Sequence, residues 1–178
     1  MKRIIIIYII ISFAYANFSR GQHSLGGNAG VFIDFEDEIK LVYFSPNFGI
    51  FLSDRLLFEG GLTYVYNESD NYDESETTYN IGSRYMFPTS FSNTIYTGIE
   101  YRTGYSAWQS TGSGASAGAG SWVEIELNLL VLKLGSLNAV TKNFYSDYGM
   151  QYMTYIGGGD YSHKGIFQLF WGISYFWG

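Results

Sequence analysis

The stretch Asp160-Tyr-Ser-His contains the three residue types that many hydrolases use for nucleophilic catalysis. Ser162 could supply the nucleophile, His163 the general base, and Asp160 a carboxylate that orients the base. In an extended segment, however, the adjacent side chains of Ser162 and His163 point to opposite faces, so a hydrogen bond between them is difficult. The chain has one other histidine, His23, far away in sequence. The sequence therefore predicts no catalytic site.

A cluster of acidic side chains with nearby amides could bind a divalent cation, because hard cations such as calcium prefer carboxylate and amide oxygens. This cluster falls in the segment 67–76, where Asn67 and Asn71 accompany the carboxylates. The candidate ligands are Asp70, Asp73, Glu74 and Glu76. Their spacing does not match an EF-hand loop, and runs of charge usually form solvated loops. We expect no metal and no cofactor.

Other charged side chains fall in the middle of predicted β-strands, where a charge needs a partner. They are Glu59, Arg84, Glu100, Arg102, Glu124 and Glu126. Side chains alternate between the two faces of a strand, so these charges lie opposite apolar faces. In the sixth predicted strand the apolar face comprises Val123, Ile125, Leu127, Leu129 and Val131. We expect the apolar faces to contact lipid and the charges to form a paired network inside a barrel.

The charged and apolar positions described above fall in eight strand-like segments. They cover 26–34, 40–52, 56–66, 77–87, 94–105, 122–132, 147–156 and 166–177. Short connections alternate with longer polar ones at 67–76, 106–121 and 157–165, the rhythm of short periplasmic turns and long outer loops. The exception is a longer periplasmic connection predicted at 133–146, of which 139–145 could extend the seventh strand. The predicted fold class is all-β, an eight-stranded antiparallel up-and-down transmembrane β-barrel.

The last predicted strand has the clearest membrane pattern. One of its faces is apolar from end to end and includes Trp171, Ile173, Tyr175 and Trp177. An apolar terminal strand that carries an aromatic residue near its end is typical of the closing strand of an outer-membrane barrel. We therefore expect these four residues to face lipid and to form the pattern that barrel-assembly machinery recognises.

The N-terminal region predicts export. Lys2 and Arg3 precede a short isoleucine-rich run followed by small residues, which is the pattern of a secretory signal. We expect a leader over 1–21 and a barrel over 22–178, with cleavage after Ala16 as the alternative. Removing three basic residues with the leader takes the net charge from −6 to −9, which disfavours nucleic acid as a partner. Because the chain has no cysteine, we expect no disulfide and no lipid anchor on an N-terminal cysteine.

Two stretches resemble a known family. The run Phe44-Ser-Pro-Asn-Phe-Gly-Ile-Phe-Leu-Ser-Asp-Arg, which continues to Tyr64, resembles the strand-turn-strand hairpin of small outer-membrane β-barrel domain proteins common in Bacteroidota. The run Tyr79-Asn-Ile-Gly-Ser-Arg-Tyr-Met-Phe-Pro resembles their next strand and turn. The resemblance covers most of residues 26–105 and the closing strand. It implies an OmpA- or OmpX-like eight-stranded barrel in the outer membrane of a Gram-negative bacterium.

For function, these patterns favour a non-catalytic barrel that is closed to solutes. The leading hypothesis is a structural or accessory role, with the barrel packed beside a larger outer-membrane complex. The alternatives are, in order, a surface ligand-binding or adhesion module that uses the outer loops, a lipid A modifying enzyme and a narrow porin-like channel. The expected partners are membrane lipid, lipopolysaccharide and, during insertion, the barrel-assembly machinery.

Overall fold

The computed structural model describes residues 18–34, 39–68, 72–89, 92–110, 123–156 and 165–178. Its strands are β1 His23–Asp34, β2 Ile39–Phe51, β3 Leu56–Glu68, β4 Tyr72–Pro88, β5 Asn93–Ser110, β6 Val123–Ala139, β7 Phe144–Tyr155 and β8 Ile166–Trp177. They are rich in the aromatic and β-branched residues that fit a pleated surface. Among the described residues no helix has the length and hydropathy needed to cross a bilayer.

Each strand pairs antiparallel with the next, and β8 pairs with β1 to close a barrel. The closing seam is short, because residues 23–29 of β1 pair with residues 171–177 of β8. The pairing of β4 with β5 is much longer and runs from Tyr72 opposite Ser110 to Pro88 opposite Thr94. The predicted fold class, an eight-stranded antiparallel β-barrel, is confirmed.

Several predicted boundaries were wrong, because the strands are longer than expected; β5, for example, continues to Ser110. The connection expected at 133–146 is mostly strand: β6 continues to Ala139, and β7 begins at Phe144 after a tight turn in which the Val140 amide donates to the Phe144 carbonyl at 2.8 Å. At the opposite end, β3 and β4 continue through much of the acidic segment 67–76. These segments contain Gly, Ser, Asn or Asp residues, which are typical of turns, yet much of each segment is paired as strand.

The outer surface is apolar around the middle of the barrel. Exposed side chains there include Leu25, Phe44, Phe48, Leu62, Ile81, Ile99, Leu132, Leu134, Met150, Leu169, Trp171 and Ile173. Tyr79 and Tyr105 are exposed nearer the end that carries the long connections. A continuous apolar belt of this extent would be unfavourable in water, and it is what lipid-facing barrel strands present.

The periplasmic end of the interior is filled by an apolar cluster. It consists of Phe18, Phe51, Leu57, Met86, Tyr96, Leu137, Tyr145, Phe170 and Phe176. Above this cluster the interior becomes polar and charged. The barrel therefore has a hydrophobic floor and an ionic middle, and an eight-stranded barrel is narrow enough for side chains to fill both.

Candidate functional site in the barrel interior

Arg84 of β4 is the centre of the first charged network. Its Nη2 lies 2.6 Å from Oε2 of Glu59 on β3, and its Nη1 lies 2.8 Å from Oδ2 of Asp147 on β7. The Tyr96 hydroxyl donates to the other Asp147 oxygen at 2.6 Å. Arg84, Glu59 and Asp147 are each at most 3% exposed. One guanidinium therefore links two carboxylates on different walls of the barrel.

Small residues and one ring create the space for Arg84. A Cβ at Gly98 of β5 would lie 3.0 Å from Cγ of Arg84, so the glycine lets the long side chain pass over the neighbouring strand. The Arg84 guanidinium carbon lies 4.9 Å from the centre of the Tyr96 ring, within cation–π range. Tyr96 in turn packs on Gly135 of β6, where a Cβ would lie 2.5 Å from the ring.

A second network is centred on Glu100 of β5. One carboxylate oxygen accepts from Nε of Arg102, and the other accepts from Nζ of Lys133 on β6. Arg102 also donates to Oε1 of Gln151 on β7 at 3.3 Å, and Gln151 donates to Gln168 of β8 at 2.6 Å. This chain of contacts crosses four strands, so it connects the charged wall to the closing strand.

The two networks balance in charge. Within the described interior, the cations Arg84, Arg102 and Lys133 pair with the carboxylates Glu59, Glu100 and Asp147. Such pairing offsets the cost of removing the charges from water, and each network supplies the remaining hydrogen bonds. Every carboxylate of these networks is held in an ion pair, and none of them contacts a histidine or an unpaired nucleophile. The arrangement is suited to bracing the walls of the barrel.

Above Glu59 and Arg84, the interior wall formed by β2, β3 and β4 carries the uncharged polar side chains of Ser45, Thr63 and Asn80. Ser45 and Thr63 hydroxyls are 2.8 Å apart, and Nδ2 of Asn80 donates to Oγ1 of Thr63 at 3.1 Å. Glycines line this wall where polar side chains lie directly on the backbone: a Cβ at Gly26 would lie 2.8 Å from Oγ of Ser174. The interior is therefore narrow on this side as well.

Phe18 closes the periplasmic mouth. Its ring stacks on Phe51 with centroids 4.8 Å apart, and it also contacts Tyr145 and Phe176 at 5.8 and 5.0 Å. Backbone hydrogen bonds of 2.8 Å join Gly21 and Gln22 to Phe51, so the segment that carries Phe18 is fixed to the end of β2. Phe18 lies inside the leader predicted over 1–21, yet it is only 3% exposed.

Glu124 and Glu126 do not belong to the interior network, and that prediction was wrong. Both are exposed on the outer face of β6, and Glu126 accepts from Nδ2 of Asn128 at 3.3 Å. The residues expected to face lipid, including Leu127, Leu129 and Val131, are buried inside. The face assignment is inverted because the upper part of β6 rises beyond the membrane, where water covers the outer face and the apolar side chains turn inward.

Below Asn128 the outer face of β6 becomes apolar. Leu132 and Leu134 are exposed there, while Lys133 between them points into the barrel. The change from a polar to an apolar outer face occurs between Asn128 and Leu130. Tyr101 on β5 donates its hydroxyl to Oδ1 of Asn128, so an aromatic ring lies at this level. Interfacial tyrosines are typical of the aromatic girdles of such barrels.

The remaining predicted site residues have varied positions. In the closing strand, Trp171 and Ile173 are exposed on the outer face, and Tyr175 stacks on Trp177 with ring centroids 5.6 Å apart.

Glu74 lies at the outer end of β4 and accepts from Ser106 at 2.7 Å. Asp73 and Glu76 also lie in β4. Asp70, Asp160, Ser162 and His163 lie outside the described residues. In the described part of the chain no group of three or more acidic or histidine side chains is arranged to hold a metal ion.

Lys133 and Asp147 were not among the predicted interior charges, although each completes an ion-pair network. Lys133 was placed in a connection, and Asp147 was treated as the first residue of a strand. One indication was available: in the run Leu130-Val-Leu-Lys-Leu, a single charge interrupts an apolar strand pattern, which favours an inward-facing charge. The charge balance was a second indication, because four predicted carboxylates faced only two arginines.

Comparison with known proteins supports the fold alone. No protein-family model and no curated protein matches the chain. Neisserial surface protein A is similar in structure, with a TM-score of 0.64 at 17% identity over 86% of this chain and 94% of that one. Ail, the attachment invasion locus protein of Yersinia pestis, has a TM-score of 0.57 at 14% identity over 89% of this chain and 99% of that one.

The N-terminal β-barrel domain of Pseudomonas aeruginosa OprF is also similar, with a TM-score of 0.55 at 13% identity over 89% of this chain and 98% of that one. The closed topology therefore defines the class: a small eight-stranded β-barrel with the fold of outer-membrane proteins. With its apolar outer belt and filled interior, the protein is a barrel of the cell outer membrane.

Proposed function

We propose that the protein is a non-catalytic outer-membrane barrel, closed to solutes, with a structural or accessory role. The observation that carries this proposal is the interior: buried ion pairs join β3, β4 and β7 through Arg84, and β5 and β6 through Glu100. A scaffold benefits from walls that are braced across the interior. A channel would need a continuous polar path, and here Phe18 and its apolar neighbours lie across the periplasmic mouth.

Conductance across a planar lipid bilayer tests the closed interior. We expect the wild-type barrel to give no steady conductance steps. A variant that combines Phe18→Ala with Arg102→Ala removes the plug and one interior side chain, and it should conduct. Lys142→Ala is the matched control, because Lys142 is exposed on a periplasmic turn and lies outside the interior. Steady ion conductance by the wild-type barrel would contradict the proposal.

Complementation of a deletion strain tests the structural role. We expect loss of the protein to increase leakage of a periplasmic reporter and the entry of a dye that the intact membrane excludes. The wild-type barrel should restore the barrier, and a variant lacking residues 111–120 should restore it equally, since a scaffold depends on its barrel. An accessory role further predicts a stoichiometric outer-membrane protein that co-purifies in mild detergent and can be crosslinked to an outward position such as Leu132.

A surface-binding role is the second candidate, and one observation favours it. Residues 123–128 of β6 pair with β5, whereas pairing of β6 with β7 begins at Leu129. The sheet formed by β4, β5 and β6 therefore rises above β7 and presents a wall beyond the membrane. Ail, one of the similar structures, is named an attachment invasion locus protein.

The negative charge of this wall restricts the kinds of ligand that it could bind. Ail has been solved in complex with the heparin analogue sucrose octasulfate, which is a polyanion. Here the wall carries Glu124 and Glu126 on its outer face and Glu74 on its inner face, so it would repel a sulfated ligand. If the wall binds a ligand, we expect that ligand to present a cationic or neutral surface to it.

The two roles differ in their dependence on the outer connections. If adhesion is the function, the variant lacking residues 111–120 should fail to attach cells to a surface that the wild type binds, while it still restores the membrane barrier. If the barrel is only a scaffold, attachment should be the same with either protein. Surface exposure of the variant must be verified with an antibody to the intact barrel.

A further inference from the structure

The outer face of the barrel contains a groove on its closing seam. The groove has a volume of about 480 Å³ and is lined by residues of β8, β1 and β2, with Phe144 of β7 at one end. Directly opposite residues in antiparallel strands share a face, so the register defines two rows across it. One row is Ile173, Gly27 and Pro46, and the next is Trp171, Ala29 and Phe44.

The groove exists because β1 contributes small residues between larger ones. Gly27 and Ala29 form the floor, and Trp171 and Phe44 form walls on the neighbouring strands. A Cβ at Gly27 would lie only 3.1 Å from Cα of Pro46, so the floor is in close contact with β2. Leu25, Phe144 and Tyr175 enclose the periplasmic end, where the last two rings pack at 4.7 Å.

The depth of the groove indicates what it contacts. Leu25 is the third residue of β1, which begins at the periplasmic end of the barrel, so the groove lies in the periplasmic half of the apolar belt. Phospholipid acyl chains surround that half in an outer membrane. An apolar depression at this depth can accommodate part of an acyl chain, which would make van der Waals contacts that an empty groove lacks.

The charge at the lower end of the groove indicates the headgroup. The described periplasmic rim carries Arg20, Arg55 and Lys142 against one carboxylate, Asp54. Lys142 is exposed and lies two residues before Phe144, which lines the groove. The same turn is fixed to the closing strand, because the Phe176 amide donates to the Asn143 carbonyl at 2.9 Å. A basic side chain beside the mouth complements a lipid phosphate.

We propose that this groove is a binding site for one anionic phospholipid of the periplasmic leaflet. Its acyl chain lies over Gly27 and Ala29 between Trp171 and Phe44, and its phosphate lies near Lys142. The site uses the outer surface at the seam and is independent of the interior network. The bound lipid covers the part of the wall where β1 and β8 share only a short pairing.

Fluorescence quenching of Trp171 by brominated lipid tests the site. The full chain, with its other tryptophans replaced by phenylalanine, is reconstituted in phosphatidylcholine vesicles containing a minor fraction of phosphatidylglycerol with brominated acyl chains. We expect quenching well above that given by the same fraction of brominated phosphatidylcholine. A control with Trp171→Phe and Leu132→Trp places the probe on β6, away from the groove, and should show no difference between the two lipids.

Two substitutions test the contacts with the acyl chain and with the headgroup separately. Ala29→Phe fills the floor and should abolish the excess quenching, whereas Thr97→Phe, on the exposed face of β5, should leave it unchanged. Lys142→Gln should reduce the preference for phosphatidylglycerol about fivefold, which is the contribution of one basic residue near an anionic surface. The Lys142→Gln measurement remains informative if Ala29→Phe fails to fold, as judged by its mobility on gels before and after boiling.

Three results would overturn the proposal. Quenching by phosphatidylglycerol equal to that by phosphatidylcholine would mean that the groove holds only bulk lipid. Excess quenching that persists in Ala29→Phe would place the lipid elsewhere. A crosslinked dimer through a single cysteine at Leu25, lost in Ala29→Phe, would identify a second copy of the chain as the occupant.

Discussion

Arg84 on β4 and Asp147 on β7 are joined across the barrel interior, with Nη1 and Oδ2 2.8 Å apart although the residues are 63 positions apart in sequence. The other ion pairs of the interior link neighbouring strands or residues of one strand. Glu59 and Arg84 belong to the adjacent strands β3 and β4, and Glu100 and Lys133 to β5 and β6. The contact between Arg84 and Asp147 can therefore form only when the sheet has curved into a barrel.

Removing Arg84 should destabilise the barrel strongly. The variant Arg84→Ala leaves Glu59 and Asp147 buried without their cation, and breaking a buried pair in this way costs about 3–5 kcal/mol. Urea unfolding in detergent micelles, followed by tryptophan fluorescence, measures the change. Lys142→Ala removes an exposed positive charge and should stay within about 0.5 kcal/mol of wild type. A triple variant that also carries Glu59→Gln and Asp147→Asn should recover part of the loss.

The same substitution should change the free energy of unfolding strongly at Glu100 and very little at Glu126. Glu100→Gln leaves Arg102 and Lys133 without a carboxylate in the interior, so we expect a loss of about 3–5 kcal/mol. Glu126→Gln changes an exposed residue on the outer face and should have an effect within about 0.5 kcal/mol. The same unfolding measurement compares them. Equal losses at the two positions would mean that Glu126 is buried in the interior.

Phe18 should belong to the mature protein. We expect intact mass spectrometry of barrels purified from the outer membrane to give a chain that retains Phe18, as cleavage after Ala16 would produce. Phe18→Ala should lower stability by about 3–5 kcal/mol, the usual cost of truncating a buried phenylalanine. Phe58→Ala, at a partly exposed outer position, is the control and should cost less. A mature mass that begins at Gln22 would show that the plug is removed with the leader.

Single cysteines should locate the upper membrane boundary on β6. The chain has no cysteine, so each introduced thiol is the sole target of a maleimide reagent. On intact cells, a membrane-impermeant maleimide should label Glu126→Cys and should not label Leu130→Cys, which faces lipid, or Leu127→Cys, which points inward. Labelling in solubilised, unfolded protein shows that all three thiols are reactive. Labelling of Leu127→Cys on intact cells would contradict the inward orientation of Leu127.

The sequence predicted the fold well because its main features are local. Alternation in the closing strand, the short turn at Ser53 and the order of eight strands each depend on neighbouring residues, and all are present in the structure. The interior networks depend on register between distant strands. No local pattern pairs Arg84 with Asp147, or Lys133 with Glu100.

The error in β6 has a different cause. The prediction assumed one environment outside the barrel along the whole strand, so the apolar face was assigned to lipid throughout. The structure has two: water beside Glu124 and Glu126, and lipid beside Leu132 and Leu134. Leu129 and Leu130 are adjacent apolar residues at the point where the pattern changes sides. They begin a run of four apolar residues, Leu129 to Leu132, and this interruption of the alternation is the sequence feature that could have located the boundary.

The polar outer end of β6 also makes the lipid-facing belt uneven in height. On β8 the apolar outer face extends from Phe167 to Trp177, and on β6 it extends only from Leu130 to Leu134. At a rise of about 3.3 Å per residue and a tilt of about 40°, these runs span roughly 25 and 10 Å of membrane thickness. The short face of β6 favours thinning of the bilayer on that side of the barrel. That hydrophobic mismatch is relieved when another protein with a short lipid-facing belt covers β6.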